Sequence, residues 1–128
     1  MIAHVGIQVS DIERSKKFYS EALKPIGYEM LRESRVTPDR PAPSAGFGVP
    51  PRADFWLYQG EPGGITTHIA FQVGKRALVD AFYQAAMAAG GRDNGKPGLR
   101  PQYNPNYYGA FVLDPDGYNL EAVCREAE

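Results

Sequence analysis

The sequence predicts an α+β domain in which one strand-and-helix unit is used twice, and three observations carry that prediction. Residues 4–29 align without a gap on residues 68–93, an offset of 64 in a chain of 128 residues. Each aligned segment opens with period-two apolar alternation and passes into a helical stripe. The closing stretch, FVLDPDGYNLEAV, reads as two strands joined by a tight turn.

The aligned copies share His4 with His68, Gln8 with Gln72, Val9 with Val73, Phe18 with Phe82, Tyr19 with Tyr83, Ala22 with Ala86 and Gly27 with Gly91. In the first strand of each copy, Val5, Ile7 and Val9 alternate with His4, Gly6 and Gln8, and Ile69, Phe71 and Val73 alternate with His68, Ala70 and Gln72. A helix follows in the first copy, where Ser10 and Glu13 fit a capping box and Ile12, Tyr19, Ala22 and Leu23 mark the apolar stripe. Pro25 and Gly27 end it. The second helix is expected over residues 75–89, with Leu78, Phe82 and Met87 on its buried side and the Gly90-Gly91 pair as its stop.

Further strands are expected over residues 28–36, 45–49 and 53–59, then 107–113 and 118–124. Asp114-Pro115-Asp116-Gly117 joins the last two, with Pro and Gly where a type I turn prefers them. Residues 37–44 and 94–106 read as loops, and long loops in a small domain are candidate rims of a site. Trp56 falls on the strand face opposite Leu57, which predicts core packing under a helix. Cys124 falls on the core face and reads as a structural thiol.

Composition bounds the function classes. With 43% hydrophobic and 23% charged residues the chain reads as one globular domain, residues 1–128, with modules of about 1–64 and 65–128. Membrane-spanning, collagen-like and disordered classes are excluded. Fourteen Lys and Arg balance 15 Asp and Glu for a net charge of −1, so no field favours nucleic acid or an anionic membrane. The single cysteine allows no internal disulfide, and Met1-Ile2-Ala3-His4 has no charged region or cleavage site, so the expected address is cytoplasmic. The chain holds no dinucleotide fingerprint, phosphate loop or nucleophile elbow.

HVGIQVSDIERSKKFYSEAL near the start, THIAFQV at the midpoint and the closing FVLDPDGYNLEAV together resemble the vicinal oxygen chelate superfamily, which includes glyoxalase I, extradiol dioxygenases and bleomycin-resistance proteins. The resemblance covers nearly the whole chain. It implies two tandem βαβββ modules that form an open, cup-shaped mixed barrel with helices outside. In metal-binding members the first strand of each module and the last strand supply the ligands, positions that here hold His4, His68 and Glu121.

Strand parity is consistent with that set. The apolar faces of the first strands must pack on helices, which leaves His4 and His68 on the opposite face. In the last strand Asn119, Glu121 and Val123 share a face, while Leu120, Ala122 and Cys124 take the other. Two imidazoles and one carboxylate suit Fe, Zn, Mn or Ni as a divalent ion.

Glyoxalase-type sites add a fourth ligand from the matching strand of the first module. Subtracting 64 from Glu121 gives Leu57, which coordinates nothing, and Gln59 on the same face is the candidate fourth ligand, or else a solvent-exposed strand end. Extradiol enzymes use a further histidine, whereas this chain has two in total. The resemblance gives Glu121 the role of catalytic base.

Arg100, Tyr103, Tyr107 and Tyr108 lie in a segment dense in groups that line small-molecule pockets, or that simply cover the barrel mouth. The reading is a metal-dependent lyase or isomerase that moves a proton on a small substrate with vicinal oxygens and stabilises an enolate. The alternatives are a drug-sequestering binding protein without catalysis and a ring-cleaving dioxygenase. A small-molecule ligand is the expected partner, and the resemblance implies a homodimer.

Overall fold

Alternating apolar residues start each half of the chain as a strand, and a computed structural model describes residues 1–64 and 66–128 of the result. Ile65, where the repeat begins its second module, lies outside the described residues. The first half runs β1 (Val5–Val9), α1 (Ile12–Ala22), a short 3-10 turn (Lys24–Ile26), β2 (Glu29–Ser34), β3 (Ser44–Gly48) and β4 (Phe55–Gln59). The second runs β5 (His68–Gln72), α2 (Arg76–Ala88), β6 (Arg92–Leu99), β7 (Tyr108–Leu113) and β8 (Asn119–Cys124).

Each half makes a four-stranded mixed sheet, ordered β1-β4-β3-β2 and β5-β8-β7-β6. The first and last strands of each module pair in parallel and the other pairs are antiparallel. The fold is α+β, two tandem βαβββ modules, as the sequence predicts. Among the described residues no ladder joins the two sheets, so the barrel is open.

One core sits between the helix-bearing faces of the two sheets. Ile7, Val9, Ala45, Phe47, Phe55 and Leu57 enter it from the first sheet, and Phe71, Val79, Phe82, Ala110, Val112, Leu120 and Cys124 from the second module. Phe55 and Phe71 meet edge to face at 5.6 Å, so the two modules share aromatic packing. Tyr19 of α1 packs edge-on to Phe55 and donates its hydroxyl to Asp114 at 2.5 Å, tying the first helix to the turn before β8.

Three expectations are corrected. The N-cap of α1 is Asp11, whose carboxylate accepts the Arg14 N–H, while Ser10 instead engages Asp116 of the other module. The first part of the loop expected over residues 94–106, through Leu99, is strand. β6 carries Gly95, Pro97 and Gly98 and shows no apolar alternation because it is an edge strand with register shifts, where proline and bulges are tolerated. Trp56 is not core: it is partly exposed on the face that carries no helix, where it lies across Gly46.

Candidate functional site

The helix-free face of the second sheet brings Glu121 and His68 together. The parallel register pairs His68 with Asn119 and Ala70 with Glu121, so His68 and Glu121 are diagonal neighbours across a small residue. His68 Nε2 lies 2.9 Å from Glu121 Oε2. Glu121 is only 2% exposed, a carboxylate that burial tolerates because both of its oxygens are engaged. Gly109, diagonal to it on β7, leaves it room: a Cβ there would stand 3.2 Å from Oε1.

The other ring nitrogen also faces an acceptor. Nδ1 lies 3.1 Å from the Asn119 carbonyl, an acceptor only, and Nε2 is turned to the Glu121 carboxylate. A ring so held presents Nε2 beside Glu121 Oε2 to whatever occupies the site. The ring stacks on Phe111, with centroids 6.0 Å apart, and the Arg100 guanidinium lies over the Phe111 ring at 5.6 Å from its centroid.

Tyr107 donates its hydroxyl to Glu121 Oε1. Burial, and then the bond to Glu121, push its phenol up to about 12, so it stays protonated at neutral pH. Tyr103, 60% exposed, packs edge-on to Tyr107 and extends this wall. Arg100 is pinned across β6 by its bond to the Lys96 carbonyl at 2.7 Å.

Tyr108, one residue on from Tyr107, turns to the helix side, where it donates to Asp80 of α2 at 2.7 Å and lies under Arg76. Gln59 also stands apart from the His68 and Glu121 pair. Its oxygen accepts the Ile12 N–H at 2.9 Å and its NH2 donates to the Ser10 carbonyl at 2.6 Å, so the amide caps α1. His4 is exposed and borders, with His68, a cavity of about 330 Å³ between the modules. Among the described residues no group of three His, Cys, Asp or Glu side chains is close enough to hold one ion.

Asp54 escaped the sequence reading, and Trp56 was misplaced by it. Asp54 accepts from Tyr28 at 3.1 Å, and its Oδ1 is buried without a partner beside the cavity that His4 borders. Trp56 is the structural counterpart of Glu121. Gly6 of β1 faces Trp56 as Ala70 of β5 faces Glu121, so the repeat offset is 64 in the first strands and 65 in the last. A register comparison, rather than a constant offset, is the signal that finds Trp56.

Residues 1–122 match the family model for the glyoxalase/bleomycin resistance protein/dioxygenase superfamily. The chain belongs to that superfamily. It is 31% identical over 129 aligned positions to a lactoylglutathione lyase of Arabidopsis thaliana, covering 95% of this chain and 43% of that protein. It therefore spans less than half the length of that relative. A glyoxalase/bleomycin resistance protein from Albidiferax ferrireducens superposes with a TM-score of 0.76 at 26% identity, over 97% of this chain and 98% of that one. Glyoxalase I from Zea mays superposes with a TM-score of 0.73 at 25% identity, over 99% of this chain and 45% of that one.

Proposed function

We propose that this protein is a divalent-metal-dependent lyase or isomerase, with His68, Glu121 and His4 as ligands, acting on a small substrate with vicinal oxygens. The observation that supports it is the buried Glu121 carboxylate 2.9 Å from an imidazole nitrogen of a ring that Asn119 holds in place. The donor set of imidazoles and carboxylate fits Fe, Mn, Ni or Zn. When bound, the ion supplies Lewis-acid polarisation of substrate oxygens. Glu121 is the proton acceptor in this reading, and the protonated Tyr107 hydroxyl orients it. Arg100 and Tyr103 face the same side and bind the polar end of the substrate. The name of the Arabidopsis thaliana relative supports lyase chemistry.

Among the described residues His4 is not grouped with His68 and Glu121 within one chain. The proposal therefore includes a homodimer in which His4 of the partner subunit reaches the His68 and Glu121 pair, in a reducing compartment such as the cytoplasm. The second reading, a binding protein without catalysis, is favoured by one observation: an indole, which cannot coordinate, stands where the first module would supply a carboxylate.

Calorimetric titration of the purified chain with Mn, Ni and Zn separates the two. The expected result is saturable binding of at least one of these ions in the wild type, lost in His68→Ala and weakened about 10- to 100-fold in Glu121→Gln. Absence of binding for all of them in the wild type, with a small aromatic ligand still bound, supports the second reading.

A further inference from the structure

Asp54 stands one residue ahead of β4, and its backbone is held on both sides. Its N–H donates to the Phe47 carbonyl of β3 and its carbonyl accepts the Val5 N–H of β1, each at 2.9 Å. One oxygen of the side chain is fixed as well: Oδ2 accepts the Tyr28 hydroxyl at 3.1 Å. Burial, and then that bond, raise the Tyr28 phenol above its ordinary value, so it keeps the proton that it donates. Oδ1, by contrast, is buried without a hydrogen-bond partner among the described residues. A buried carboxylate oxygen left unpaired opposes folding, and a donor brought from outside removes that cost.

The carboxylate borders the cavity of about 330 Å³ between the modules. That volume lies at the lower end of the range for small-molecule sites, roughly 300–1,000 Å³. Phe55 and Phe71, which meet edge to face, give the cavity apolar walls together with Val5 and Ile69, and the exposed Ile2 and His4 stand at its rim. Among the described residues that line it there is no lysine or arginine, so nothing of that kind balances the charge of Asp54. A neutral hydroxyl or amide from a ligand would satisfy the free oxygen and leave that charge unpaired, whereas a cation answers both needs. With Tyr28 on the other oxygen, the point charge of an ammonium fits better than the two-pronged fork of a guanidinium.

We propose that this cavity is a binding site for a primary ammonium carried on a small apolar stem, its nitrogen on Asp54 Oδ1 and its stem against Phe55 and Phe71. Glu121 lies outside the lining and no bound ion is needed, so the site stands apart from the metal reading.

The backbone amides of Val5 and Asp54, both lining residues, report occupancy directly. The test follows them by NMR in the whole, isotope-labelled chain, titrated at neutral pH with 2-phenylethylammonium and in parallel with 2-phenylethanol, a neutral analogue of the same size. The expected result is a saturable shift of both amides with the ammonium. Binding is roughly 10- to 100-fold weaker for the alcohol, and also for Asp54→Asn. Asparagine keeps the shape and still accepts from Tyr28, so that variant removes the charge alone, and the alcohol comparison in the wild type requires no variant to fold. Glu121→Gln is expected to keep the ammonium response. Unmoved Val5 and Asp54 amides, equal binding of the alcohol, wild-type affinity in Asp54→Asn, or loss of the response in a folded Glu121→Gln each overturns the proposal.

Discussion

At Gln59 both ends of one amide are spent on the first turn of α1, accepting from Ile12 and donating to Ser10. Gln59→Met keeps the shape and removes the cap, so we expect a loss of about 1–2 kcal/mol in chemical denaturation. Metal binding should be unchanged in the same variant, and a loss of metal with normal stability would restore Gln59 as a ligand. At this scale the sequence was legible wherever parity decided. His68, Tyr107 and Glu121 share a face because strand side chains alternate, and Glu121 is reached by Tyr107 for that reason. The same alternation sends Tyr108 to Asp80 on the other side, which composition of the segment could not separate from its neighbour.

Among the elements, the turn before β8 does more than reverse the chain. Asp114 accepts from the Tyr19 hydroxyl and from the Asp116 and Tyr118 backbone N–H groups while 1% exposed. Burial raises its carboxyl above the usual range, against the pull of those hydrogen bonds. A carboxyl raised in the fold contributes its stability in full below the ordinary carboxylate value near pH 4, and loses it as pH rises through the raised value. The urea midpoint of the wild type should therefore fall relative to that of Asp114→Asn between about pH 4 and pH 7, and a difference that grows with pH would contradict this. Tyr19→Phe should cost about 1–2 kcal/mol, because it leaves a buried carboxylate oxygen short of a donor.

The elements also mark where sequence reasoning lost its grip. β1, β5, β7 and β8 were legible because one face of each is core. β6 was not, since an edge strand with Gly95, Pro97 and Gly98 has little apolar face to alternate. Trp56 was misplaced by a different mechanism. The repeat gains one residue between the first and last strands of a module, and a shift of one residue exchanges the two faces of a strand.

For the whole molecule, helices cover one face of each sheet, and the other face keeps Trp56 and Tyr58 in one module and His68, Phe111 and Glu121 in the second. Leu99 at 49% exposed and Tyr103 at 60% add apolar surface around the second face. A second copy covering these faces predicts a two-chain mass in sedimentation, with Leu99→Glu shifting the equilibrium toward one chain; a wild type that stays monomeric at all concentrations would remove His4 of the partner subunit from the site.

The central claim is that His4, His68 and Glu121 hold one ion across two chains, and metal content after subunit mixing tests it most directly. His4→Ala and His68→Ala are each expected to be empty alone. Unfolded and refolded together, they form mixed dimers with one intact ligand set, and the account predicts recovery to about one ion per four chains. Two variants that stay empty after mixing, beside a wild type that binds metal, would place any site within a single chain and contradict the account.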